Sequence, residues 1–219
     1  MERRDAIWRL INQEQDADIA EDTLVSFDSF LLFLMGSLDA AARLTHGVLD
    51  IKGPLRLAGW QKLKWLRMID VGAPKVAGIF VAGSREASAL KALSLLRNTI
   101  HDEGLASVTV GHARRVEATW IGLPRTTGAK IVDATDRMAS RKYWGIQESA
   151  GRFYAEPGPL ADGLLSETLQ TLGHVLLELE RALSETTPAP GPCMKSRLNE
   201  ELLGQNVLWQ LGLSEATGE

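Results

Sequence analysis

A single cysteine, Cys193, stands in 219 residues, so no intramolecular disulfide can form and nothing asks for an oxidising compartment. Long apolar runs are missing as well. The most apolar one, Phe30 to Met35, is six residues and is flanked by Asp28 and Asp39, where a membrane span takes roughly 20. The opening Met1-Glu2-Arg3-Arg4-Asp5 lacks the apolar stretch of a signal peptide. These absences predict a cytoplasmic chain with no membrane segment. Four scattered histidines and one cysteine leave a zinc site almost without ligands, so neither a metal nor another cofactor is expected. The glycine-rich phosphate loop, the dinucleotide fingerprint, the nucleophile elbow and the calcium loop are absent. No fixed-period repeat is present either, which argues against a solenoid or propeller.

What remains is an ordinary globular composition, 45% hydrophobic and 24% charged, in a chain long enough to bury a core. The net charge of −4 conceals an asymmetry. Between Ile51 and Arg152 stand 17 Lys and Arg against 8 Asp and Glu, a balance of +9, while the two ends carry 7 against 20. Such a distribution either marks a surface for a polyanion or is neutralised across the fold, and helix packing favours the second.

Apolar spacing of three and four predicts helices. A short amphipathic one runs through Ala6–Ile11. A spine helix runs from Asp22 or Ser26 to about Val48, with Phe27, Phe30, Leu31, Leu34, Leu38, Ala41 and Leu44 recurring at that spacing. It is apolar nearly all round at its centre, as a buried helix is. After the Gly53-Pro54 break, a helix passes through Trp60, Leu63 and Leu66 or Met68. The stretch from Pro74 to Ala82 suits helix or strand. Ser84 is placed to cap a helix reaching His101, with Gly104 beyond its end. Val, Thr, Trp and Ile then dominate Ala106–Val110 and Val116–Leu123, predicting a β-hairpin at about 105–123. Helix resumes at Ala129–Met138 and again at Leu160–Leu183. The expected fold is mainly α, an up-and-down helical bundle with a small β-hairpin insertion over residues 1–185. A Pro-rich linker and a short amphipathic helix are expected over 186–219, the latter docking on its own domain or on a protein partner.

Three versatile polar groups close the helix that begins at Ser84. Arg97 and His101 are four residues apart, and Asn98 and His101 three, so on a helix all three neighbour one another. They offer a fixed cation, an amide and a ring titrating near neutrality, which are groups that phosphodiester chemistry uses. The same groups could instead bond the open carbonyls of the last helical turn.

Arg-Asn followed closely by His, late in a buried helix of a helical protein, resembles the HEPN family (higher eukaryotes and prokaryotes nucleotide-binding). The resemblance implies an up-and-down bundle, usually a homodimer, with two such motifs facing each other. Many members are metal-independent endoribonucleases of toxin–antitoxin and phage-defence systems, and others lack catalysis. Carried over, Arg97 is the motif arginine, Asn98 the polar residue after it and His101 the histidine, with an RNA 2′-hydroxyl attacking the adjacent phosphate. Three residues separate Arg97 from His101, fewer than the family's four to six.

His112, Arg114 and Arg115, at the expected hairpin tip, form a basic turn able to contact phosphates. His46 and His174 read as satisfied packing residues. Trp60, Trp65, Trp120 and Trp144 fall in the basic segment, where base stacking is conceivable and core packing the better reading for most. The alternative to an RNA- or nucleotide-binding protein is a non-catalytic helical interaction or dimerisation protein in which the motif is structural.

Overall fold

The structure is a computed structural model and describes residues 2–100, 104–112 and 115–186. Its elements are α1 (Glu2–Ile11), α2 (Ala17–Val48), a 3-10 turn (Leu55–Leu57), α3 (Leu63–Gly72), α4 (Pro74–Gly78), α5 (Arg85–Thr99), β1 (Ala106–His112), β2 (Arg115–Gly122), α6 (Arg125–Asp136), β3 (Ile146–Ser149), β4 (Arg152–Ala155) and α7 (Pro157–Thr186). The class is mainly α with a small antiparallel sheet. The chain divides into units Met1–Leu179 and Glu180–Glu219. Of the second, the described residues are the last turns of α7, and the expected linker and C-terminal helix lie outside them.

α2 is the spine. It starts earlier than its apolar pattern does, because the Asp16 carboxylate accepts from the Ile19 amide at 2.8 Å and caps the first turn. Phe27, Phe30, Leu31, Leu34, Leu38, Ala41 and Ala42 form its buried side, against α1, α5 and the β1–β2 hairpin. By length and composition α2 could cross a membrane, with a mean hydropathy of 1.5 over its most apolar 18 residues, a third of them buried. The six-residue run underrates it, since small and hydroxylated residues continue the apolar character on both sides.

α5 runs antiparallel to α2. Leu90 borders the same cleft as Met35 and Asp39, whereas β1, which follows α5, pairs Thr109 with Thr119. The Thr119 hydroxyl donates to Gln15, just ahead of α2, at 2.7 Å. Ser84 caps α5 as its position predicts, its Oγ accepting from the Ala87 amide at 3.0 Å and donating to the Ile79 carbonyl. The ambiguous stretch after Gly72 is the short helix α4, with Pro74 at its first turn.

The sheet is larger than the expected hairpin. Its order is β1-β2-β4-β3, all antiparallel. β3 and β4 turn at Ala150 and Gly151, both at positive φ, as a two-residue hairpin connection requires. Trp144 sits fully buried just before β3, its indole N–H donating to the Thr135 carbonyl at 3.1 Å. α7 closes over it with Gly163, where an added Cβ would lie 2.5 Å from the Trp144 ring. Side chains pin α7 to its neighbours. Arg4 and Trp8 both donate to Asp162. Arg85 takes the buried Glu167 through two guanidinium nitrogens while its third reaches the Met138 carbonyl. The Glu167 carboxylate holds the Arg85 pKa above its ordinary value.

Candidate functional site

The motif helix ends at Thr99, with Ile100 as its C-cap, and His101 lies outside the described residues. Leu93, Leu96 and Thr99 are buried while Arg97 and Asn98 are exposed, so the last turn presents the motif's first two groups to solvent. The open carbonyls of this turn are taken by local donors, the Thr99 hydroxyl serving Leu96 and backbone amides the rest. The Ile100 amide serves Arg97 and Asn98, and the Gly104 amide, on a residue at φ +73°, serves Thr99 at 2.6 Å. Neither the Arg97 guanidinium nor the Asn98 amide plugs the helix end. They meet each other instead, Arg97 Nη1 donating to Asn98 Oδ1 at 3.5 Å. Among the described residues Arg97 has no carboxylate partner.

The predicted basic turn divides differently. The strands run on to His112 and Arg115, which pair across the ladder, and Arg114 lies outside the described residues. The five-residue turn expected from 111 to 115 is shortened because strand pairing continues past a register shift at Val110/Gly111 to the His112–Arg115 pair.

His46 is a satisfied core residue. Its Nδ1 accepts from the Trp65 indole N–H at 3.1 Å, and its Nε2 lies 3.2 Å from the Gly53 carbonyl, which makes Nε2 the protonated nitrogen. His174 is not a packing residue: it is exposed on α7 and pairs through Nδ1 with Glu86 at 2.8 Å. Trp60, Trp65 and Trp144 are buried, and Trp120 is half-buried. Trp60 stacks on Phe80 at 4.5 Å and donates to the Leu38 carbonyl at 2.8 Å.

A feature the sequence pattern did not single out lies beside Trp60. A cleft of about 330 Å³ opens between α2, the loop from Leu55 to Lys62, and Leu90 of α5. Arg43, Arg56 and Lys62 line it with Asp39 and Gln61. Lys62 Nζ donates to the Arg56 carbonyl at 2.7 Å, which ties the loop into a ring. Gln61 donates its amide to Ser94 of α5. Leu90, Ser94 and Arg97 follow one another at i, i+4 and i+7, so Arg97 stands on the cleft side of α5, about 10 Å of helix rise from Leu90.

Compared with known protein families, curated proteins and solved structures, the chain finds no match. The reading of this region therefore rests on its own chemistry. Among the described residues no cluster of three His, Cys, Asp or Glu side chains is placed to hold a metal ion. The charge asymmetry is only partly neutralised: Arg85–Glu167 and Lys52–Asp50 join the basic segment to the acidic ends, whereas Lys91, Arg137 and Arg141 pair with Asp133, Asp136 and Glu148 of the basic segment itself. Arg56 and Arg97 have no carboxylate partner among the described residues.

Proposed function

We propose that the chain is a HEPN-like helical domain that binds RNA through the exposed Arg97–Asn98 turn of α5, in a cytoplasmic defence or stress role. One observation carries this reading: an arginine with no carboxylate partner among the described residues and an amide stand outward on a turn whose carbonyls are already taken by local donors. Apart from their bond to each other these groups face solvent, and a phosphate takes a guanidinium in two parallel hydrogen bonds. In the catalytic form of the proposal His101 takes the 2′-hydroxyl proton as the 2′-oxygen bonds to phosphorus. The bond from phosphorus to the 5′-oxygen breaks to leave a 2′,3′-cyclic phosphate, and the proton is returned to that departing oxygen, while Arg97 takes the charge growing on the phosphate with no metal required.

Binding is tested by fluorescence anisotropy with single-stranded and hairpin RNA at rising salt. Wild type binds with a salt-dependent Kd, and Arg97→Ala weakens binding about tenfold and lowers the salt slope by about one. Cleavage that persists in EDTA and disappears in Arg97→Ala and in His101→Ala makes the domain a nuclease. Binding with intact RNA makes it a non-catalytic binder, and the absence of binding at low salt defeats the proposal.

A second reading, a dimerisation protein, is favoured by α2. Val25, Leu32 and Phe33 are exposed on it, Phe33 by 63%, and with Ser29 and Gly36 they form one row at helical spacing. Homodimerisation through this row is compatible with the first reading, since the resemblance implies paired motifs.

A further inference from the structure

We infer that the cleft beside Trp60 is a binding site for one nucleoside 5′-phosphate, whether as a free mononucleotide or as the 5′-phosphorylated end of a strand. The inference stands on the cleft's own residues and does not depend on the role of Arg97.

Its size comes first. About 330 Å³ is at the small end of the range for small-molecule sites, enough for a single nucleotide. Its charge comes second. Arg43 and Arg56 reach it from different elements, α2 and the loop after Gly53, and among the described residues neither guanidinium has a carboxylate or other hydrogen-bond partner. Unpaired guanidiniums converging on one space suit a phosphate, which accepts from each in a fork. Lys62 adds a third positive charge at the mouth while its bonds to Arg56 and Ala58 hold the loop in shape.

A bare phosphate would leave the rest of the cleft unexplained. Asp39 faces the same space and has no partner among the described residues. A carboxylate repels a phosphate but accepts from hydroxyl and amino groups, which a ribose and a base supply. Gln61 spends its amide N–H on Ser94 and keeps its oxygen as an acceptor. Met35, Leu55 and Leu90 line the cleft with apolar surface, and Leu55 is half exposed, so a ligand ring would cover area now in water. The Trp60 ring is not a free stacking platform, because Phe80 stacks on it. It makes the floor rigid.

Isothermal titration of the full chain with AMP, GMP, CMP and UMP, with the corresponding nucleosides and with inorganic phosphate tests this. At least one monophosphate should bind at millimolar concentration or tighter, and better than both its nucleoside and inorganic phosphate. Arg43→Ala and Arg56→Ala should each weaken it about tenfold, the scale of one charge-assisted bond. Both cleft arginines are exposed, and an unaltered Tm shows that the variants fold. An oligoribonucleotide with a 5′-phosphate that binds more tightly than its 5′-hydroxyl form, with the gain lost in Arg56→Ala, assigns the site to strand ends. Equal affinity for the two oligonucleotides, with mononucleotide binding intact, assigns it to the free nucleotide. Failure of every monophosphate to bind, inorganic phosphate binding as tightly as all of them, or full binding by the Arg43→Ala/Arg56→Ala variant overturns the inference. RNA binding lost in Arg97→Ala but kept in the cleft variants separates the fate of this site from that of the α5 turn.

Discussion

Two residues of α2 show opposite ways of placing a titratable group in a helical core. His46 is buried with both ring nitrogens engaged, so His46→Ala leaves the Trp65 N–H and the Gly53 carbonyl without their partner. The expected loss is about 3 kcal/mol, two unmet groups plus a cavity, read as a lower urea midpoint with a red shift in tryptophan emission. Asp28 is half-buried, and its Oδ1 has no hydrogen-bond partner among the described residues. Burial alone pushes its carboxyl pKa upward. The folded state therefore keeps this proton to higher pH than the unfolded chain does. Asp28 favours folding below the ordinary carboxylate range, and that contribution is lost as pH rises through that range to the raised folded value. Asp28→Asn should raise the Tm at neutral pH by about 1–2 °C, a small gain because the site is partly open to water. It should also flatten the Tm profile on the acid side; a lower Tm at neutral pH would contradict the assignment.

At the scale of the element, α7 is shaped by what its glycines allow. Gly163 lets the helix lie directly on the Trp144 ring, which is fully buried and held by Thr135. Gly163→Ala places a methyl inside that ring and should cost about 2–3 kcal/mol. Gly173, three turns along, has none of the described residues within 4 Å of an added Cβ. Gly173→Ala should stabilise the same helix by up to about 1 kcal/mol. Thermal unfolding of the two variants should shift in opposite directions, and a shared direction would show that helix propensity, not the Trp144 contact, governs α7. The hydrophobic spacing of α7 is plain in the sequence, but which glycine is a contact is not, since both lie among leucines.

For the whole molecule, the unanswered surface is the outer row of α2. Exposed Val25, Leu32 and Phe33 sit on the helix whose other side is the core, so a partner covering them would bury area without disturbing the fold. Sedimentation velocity should show a concentration-dependent dimer that Phe33→Asp converts to a monomer with an unchanged Tm. A monomer at every concentration removes the dimerisation reading and leaves RNA and nucleotide binding to be judged on their own tests.

The helices were legible because burial on one side imposes a three-and-four spacing that any helix must show, and Ser84 announced the start of α5 because a cap is a local bond. α2 began earlier than its pattern, at Asp16, because its first turn is polar and only the cap marks it. The second hairpin escaped for a similar reason: β3 and β4 are four residues each, too short for alternation to register. Arg97 and Asn98 could be named from the sequence as chemically able residues, but not whether they cap the helix or face solvent, because that depends on Gly104 closing the turn. Arg43 and Arg56 belong to segments thirteen residues apart and were unremarkable as letters. Their convergence with Asp39 and Leu90 exists only once α2, the loop and α5 have packed. Local bonds and periodicity are written along one dimension, and a cleft between three segments is a property of their arrangement in space.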